Sequence, residues 1–245
     1  MPAKPRLDTV LVDRGLAPSR ARARALILAG QVKVDGHVLS KAGAPVPAEA
    51  IVELIVPDHP YVGRGGVKLA HALDDFKIDP AGRRALDIGA STGGFTDVLL
   101  RRGAASVIAL DVGHNQLDWK LRSDPRVIVR EGVNARALSA VDVPHTVNLV
   151  TIDVAFISLR HILPALPPFL ESGADIVALV KPQFEAGRGE VGKGGIVSDP
   201  AVQDAAVRQV AEAAAAIGLA RLAMAPSAIT GATGNQEFFL HLRSR

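Results

Sequence analysis

The sequence predicts an α/β protein in two parts, a small basic head and a larger body built on a doubly wound sheet. Three observations carry this. From residue 84 onward, apolar strand-like runs alternate with helical stretches, the pattern of parallel strands with helices on both faces. Residues 1–41 hold eight Lys/Arg against Asp8, Asp13 and Asp35, a local charge of +5 in a chain whose net charge is +3. Between head and body, Pro57, Pro60, Gly63, Gly65 and Gly66 punctuate a short stretch with no apolar period of its own.

In the head, Leu7, Val10 and Leu11 recur at helical spacing and Gly15 stops the first helix. Pro18 and Ser19 start a second, whose Ala21, Ala25, Ile27 and Leu28 are expected to face inward with Arg20, Arg22 and Arg24 outside. "QVKVDGHVL" alternates around Asp35-Gly36, the dipeptide favoured in a type I′ hairpin turn, and "AIVELIV" supplies a further strand. So small a unit suits an appended module, and its charge suits an anionic polymer. The reading is residues 1–57 as head, 58–66 as linker and 67–245 as body.

In the body, "VKLAHALDDF" reads as a helix. "RALDIG", "ASVIALDVG", "RVIVREG", "VNLVTIDV", "DIVALVKP" and "EFFLHLRS" read as strands, with "GFTDVLLRRG", "ISLRHILPALPPFL" and "AVQDAAVRQVAEAAAAIG" helical between them. Ligands of such sheets bind beyond the carboxyl ends of the strands. There "GASTGG", residues 89–94, turns from the first body strand into a helix near Phe95; its glycines would let a ligand pass close to the backbone, and the helix start can hold a polar group. The glycines do not fall as G-x-G-x-x-G, and Asp87 beside the turn would repel a pyrophosphate but tolerate the cationic sulfonium and ammonium of S-adenosylmethionine. Asp111, ending the next strand, is placed to accept both ribose hydroxyls. Lys68 on the helix before the first strand, Asp153 and Lys181 at strand ends, and Glu237 at the start of the last strand are expected to converge on the same edge.

The chain has no cysteine, which removes disulfides, thiolate metal sites and cysteine nucleophiles. "MPAKPRLDTVLVDRG" lacks the apolar run of a signal peptide, and no window approaches the roughly eighteen apolar residues of a spanning helix. A cytoplasmic protein is expected, with neither a membrane partner nor a bound metal.

"SRARARALILAGQVKVDG" resembles the S4 RNA-binding domain of ribosomal proteins, pseudouridine synthases and certain rRNA methyltransferases. That resemblance implies that Arg6, Arg20, Arg24, Lys33 and Lys41 grip phosphates of a folded RNA, with Arg22 off the binding face. Together with "GASTGGFTDVLL", "LDVGHNQLDWKLRSDPRV", "NAR", "IDVAFISL", "LVKPQFEAGRGEVGKGGIVSDP" and "GNQEFF", the whole chain resembles the TlyA (haemolysin A-like) family, an S4 head joined to an FtsJ-like methyltransferase. The resemblance implies a Rossmann-like class I methyltransferase body with a mostly parallel seven-stranded sheet. It also implies S-adenosylmethionine-dependent 2′-O-methylation of cytidine in 16S and/or 23S ribosomal RNA within subunits, and a Lys-Asp-Lys-Glu tetrad at Lys68, Asp153, Lys181 and Glu237. Gly89, Ser91, Gly93, Gly94, Phe95, Asp111, Asn134 and Asp153 are then the donor-binding candidates, Asn134 at the adenine.

The chemistry gives these types a reason. A ribose hydroxyl must lose its proton as its oxygen attacks the methyl carbon, and Lys181 can take it if burial and neighbouring Lys68 disfavour its ammonium form. Asp153 would orient Lys181, and Glu237 would position Lys68 or the ribose. The Gly-rich segment after Lys181 reads as a flap over a flipped nucleotide, with Arg188 and Lys193 meeting phosphate. Three other readings remain: an S4 assembly scaffold with an inactive body, a cytolysin, and a nicotinamide oxidoreductase. The tetrad, the lack of spanning or barrel patterns and the glycine spacing weigh against each in turn.

Overall fold

The structure is a computed structural model, described for residues 4–55, 59–187 and 189–245. The chain divides into two compact units after Pro60; the expected boundary at residues 57 and 58 and the flap residue Arg188 lie outside the described residues.

The first unit has α1 (Leu7–Asp13), α2 (Arg20–Leu28), β1 (Val32–Val34), β2 (His37–Val38) and β3 (Val52–Leu54). The strands form an antiparallel sheet in the order β2-β1-β3. Ser19 caps α2 by accepting from the Arg22 N–H at 3.2 Å. Asp35 and Gly36 both take positive φ, 50° and 81°, as a type I′ turn requires. The buried face of α2 differs from expectation: Ala23, Leu26 and Ile27 are inside, whereas Ala21, Ala25 and Leu28 are exposed. Positions 23, 26 and 27 make a continuous stripe at helical spacing, flanked by Arg20 and Arg24. Leu7, Leu11, Ile27, Val32 and Val46 form this unit's own core.

The second unit contains α3 (Gly65–Phe76), β4 (Arg84–Ile88), α4 (Gly94–Arg101), β5 (Ser106–Asp111), α5 (Trp119–Arg122), β6 (Val127–Glu131), β7 (Val147–Ile152), β8 (Leu170–Val180), α6 (Pro182–Glu185), α7 (Pro200–Ala216), β9 (Ala220–Pro226) and β10 (Phe238–Arg243). Its seven-stranded sheet runs β6-β5-β4-β7-β8-β10-β9, with β10 antiparallel to both neighbours. The parallel pairings of β4 with β5 and β7, and of β7 with β8, bring their carboxyl ends to one edge. Apolar layers cover both faces, one around Leu86, Val150 and Val210, the other around Leu69, Leu99 and Phe239.

Several elements depart from the sequence reading. The segment after Lys181, read as a flap without structure of its own, begins as the short helix α6 with Glu185 buried. "ISLRHILPALPPFL" is not an α-helix but three successive 3₁₀ turns, Leu159–His161, Leu163–Ala165 and Pro167–Phe169, because Pro164, Pro167 and Pro168 lack the N–H groups an α-helix needs. The edge strand β9 was not foreseen. Gly65 and Gly66, read as linker, open α3.

Candidate active site

The turn after β4 is shaped first by close packing of the chain on itself. Gly89 has φ +83°, and a Cβ there would fall 2.2 Å from the Asp153 carbonyl oxygen, so only glycine lets the ends of β4 and β7 meet. At Gly93 the vacated space is filled by Leu117 and Leu121, and at Gly94 by the backbone of residues 63–66. Phe95 is buried against Phe239, ring centroids 6.2 Å apart. Gly93, Gly94 and Phe95 are thus packing residues that do not border the cavity beside the turn.

That cavity, of about 980 Å³, is lined by the other expected donor residues, Gly89, Ser91, Asp111, Asn134 and Asp153. Asp111 accepts the Ser91 N–H at 2.8 Å and the Gly113 N–H at 2.7 Å, which fixes both the carboxylate and the turn. Asn134 caps a 3₁₀ turn by accepting from Arg136. Asp87, expected beside the ligand, does not line the cavity. It is fully buried, accepting from Thr96 Oγ1 at 2.6 Å and Thr151 Oγ1 at 2.9 Å. Burial pushes its carboxyl up to about 6, the two threonine hydrogen bonds opposing that and the Asp153 charge adding to it.

The four tetrad residues form two ion pairs. Lys181, immediately after β8, lies 2.6 Å from Asp153 Oδ1, immediately after β7. Lys68 on α3 donates to Glu237 Oε2 at 2.5 Å, and both of those side chains are buried. Each lysine therefore faces a carboxylate that the sequence reading set beside it, Asp153 for Lys181 and Glu237 for Lys68. The start of α3 borders Asp153: a Cβ on Gly65 would stand 3.9 Å from its Oδ2.

Most of the cavity lining escaped sequence reasoning. Phe156 is 91% exposed with φ +64°, its ring 5.2 Å from that of Phe184. Arg136, Arg160 and His161 line the same space, all from the short turns after β6 and β7. An aromatic three residues past a strand-end acid, in "DVAF", was the signal available for Phe156; the arginines had none beyond charge. Glu185 ties this region together, accepting from Ser158 Oγ at 2.5 Å and the Leu159 N–H at 2.8 Å. Burial raises its carboxyl above the ordinary value against the pull of those bonds.

Of the RNA candidates, Arg6, Arg20 and Arg24 all reach Asp8. Lys33 stands across the β1–β3 ladder from Glu53, and Lys41 and Lys193 are exposed.

The model of the FtsJ-like methyltransferases matches residues 61–244, and that of the S4 domain residues 5–52. A curated relative, "16S/23S rRNA (cytidine-2'-O)-methyltransferase TlyA" of Mycobacterium tuberculosis, is 48% identical across 100% of this chain and 92% of its own length. "Hemolysin A" of Brachyspira hyodysenteriae is 39% identical across 96% of this chain and 98% of its own. Among solved structures, "Putative hemolysin from Streptococcus thermophilus" superposes with a TM-score of 0.78 at 41% identity, covering 99% of this chain and 89% of that one.

Proposed function

The chain belongs to the FtsJ-like methyltransferase family with an S4 domain ahead of it, and from that premise we propose that it methylates the 2′-hydroxyl of a cytidine in ribosomal RNA, with S-adenosylmethionine as donor. The observation that carries the reading is the two ion pairs, Lys181–Asp153 and Lys68–Glu237, the first of which reaches the cavity through Asp153.

The cavity suits a nucleoside donor. Its volume lies at the upper end of the roughly 300–1,000 Å³ of small-molecule sites. Asp111 stands at a strand end where a carboxylate meets ribose hydroxyls, Gly89 admits a close backbone approach, and Asn134 and Asp153 offer polar contacts further along. When bound there, S-adenosylmethionine supplies the electrophilic methyl carbon, whose bond to sulfur breaks as the bond to the ribose oxygen forms. The protein must hold the hydroxyl in line and receive its proton. Lys181 Nζ, held by Asp153, is the group placed to receive it, as the neutral amine that becomes an ammonium when the proton arrives. Lys68, held by buried Glu237, supplies an immobile cation for the attacking oxygen. Phe156 offers an exposed ring to the extruded base, and Arg136 and Arg160 offer guanidinium groups to flanking phosphates.

Work on assembled subunits in the cytoplasm fits this reading, the S4 head giving phosphate contacts independent of sequence. Among the described residues no helix is long and apolar enough to cross a membrane. Lys181→Ala tests the assignment: methyl transfer to ribosomal subunits should fall by about 100-fold or more while calorimetric donor affinity is retained. Turnover above about a tenth of wild type would remove Lys181 from the role of base.

A further inference from the structure

The head contains a polar cluster that the transfer chemistry does not use. Asp8, in the first turn of α1, is fully buried, yet what buries it is charged. Arg6 donates from Nε to Oδ1 and from Nη2 to Oδ2, both at 3.0 Å. Arg24 donates from Nε to Oδ2 at 3.2 Å and Arg20 from Nη2 to the same oxygen at 3.4 Å. Arg20 and Arg24 are one turn apart on α2, whereas Arg6 precedes α1, so one carboxylate gathers cations from two elements. Each arginine side chain remains about half exposed, at 51%, 53% and 54% for Arg6, Arg20 and Arg24.

The surrounding backbone is built to hold this arrangement. Gly43 lies flat against Arg6: a Cβ there would stand 3.1 Å from Nη1 and 3.3 Å from Cζ. The Asp8 N–H donates to the Ala42 carbonyl at 3.0 Å, which ties the residue after Lys41 to the same helix start. Arg6 first, then Arg24, hold the Asp8 carboxyl well below the usual carboxylate range despite its burial.

Three guanidinium groups on one carboxylate leave two uncompensated positive charges at the surface. Three long side chains that would otherwise sample many rotamers are held ready, so an incoming anion need not order them. Guanidinium groups with N–H donors left over suit phosphate oxygens spaced along a backbone.

We propose that Asp8 is a positioning residue for RNA, fixing Arg6, Arg20 and Arg24 as a three-pronged receptor for the backbone phosphates of folded ribosomal RNA. This rests on the reading of the head as the RNA-gripping part. The test uses the full chain and a short RNA hairpin, with affinity measured over a series of salt concentrations. Asp8→Asn adds a positive charge, so a head acting through net charge alone would bind more tightly. The expected result is affinity about tenfold weaker and a salt dependence shallower by roughly one counterion, with unchanged donor binding. Equal or tighter binding by a folded Asp8→Asn protein overturns the proposal. Should that variant lose the fold of the head, Gly43→Ala decides: it keeps every charge, displaces Arg6, and should weaken RNA binding about threefold, whereas wild-type affinity overturns the proposal. An Arg20→Ala/Arg24→Ala protein separates the two levels. If it binds the hairpin like wild type, the RNA-binding reading of the head fails and the proposal with it; if it binds weakly while Asp8→Asn matches wild type, only the role of Asp8 fails.

Discussion

Asp87 and Lys68 are both buried, with different consequences for stability. Burial raises the Asp87 carboxyl to about 6, against about 3.9 in an unfolded chain. Between those values the unfolded chain has released a proton that the fold retains, so stability falls as pH rises from about 4 to about 6 and is flat above. The loss is of order 2–3 kcal/mol. Asp87→Asn should remove this slope, and urea unfolding of both proteins at pH 4 to 7.5 would show it; identical slopes would contradict the account. Asp8 has the opposite sign: its depressed carboxyl adds stability above the ordinary carboxylate range that is lost on acidification. Lys68→Ala leaves Glu237 buried without its cation, and loss of one partner of a buried pair costs about 3–5 kcal/mol. Urea unfolding of that variant at neutral pH checks this, and an unchanged midpoint would make Lys68 a solvated charge. The pairing of Asp153 with Lys181 and of Glu237 with Lys68 was legible in sequence because a doubly wound sheet gathers its strand ends at one edge; that these residues carry the chemistry is the proposal. Asp87 was misplaced because a strand-end acid looks the same whether it faces a ligand or, as here, two threonine hydroxyls.

At the scale of elements, the strongly apolar strands were readable and the weakly patterned ones were not. β9 carries Arg221 and exposes Leu222 and Met224 at the sheet edge, and its "LAMA" lacks the β-branched and aromatic residues that mark a strand. On α2 the alanines were ambiguous: Ala23 is buried and Ala21 and Ala25 are not, and only tertiary packing chooses among residues of one size. Phe156 was only faintly readable for a related reason: "DVAF" marks an aromatic near a strand-end acid, but its exposure and left-handed backbone belong to the folded turn between Asp153 and Leu159. If this turn presents the ring to the extruded base, stacking is worth about 1–3 kcal/mol. Phe156→Ala should then lower kcat/KM for ribosomal subunits by about tenfold or more and leave donor affinity alone. Steady-state methyl transfer checks this, and an unchanged kcat/KM would reduce Phe156 to an exposed turn residue.

For the whole molecule, the division after Pro60 and the separate apolar cores suggest a division of labour. A protein of residues 61–245 should stay folded and bind S-adenosylmethionine, since the cavity is lined only by residues 88 to 186, yet hardly methylate subunits. Loss of donor binding with a lowered Tm would instead make the head a stabiliser of the body. The basic N-terminal stretch was visible in composition alone, residues 1–41 at +5 standing out against −2 for residues 42–245. The central claim concerns which atom receives the methyl group, and one measurement addresses it. Ribosomal subunits from cells lacking the gene are incubated with the purified full chain and isotopically labelled S-adenosylmethionine, and their RNA is digested to nucleosides for mass spectrometry. The account predicts label in 2′-O-methylcytidine with wild-type protein and its disappearance with Lys181→Ala. Label on a base, or transfer that survives the loss of Lys181, would contradict it.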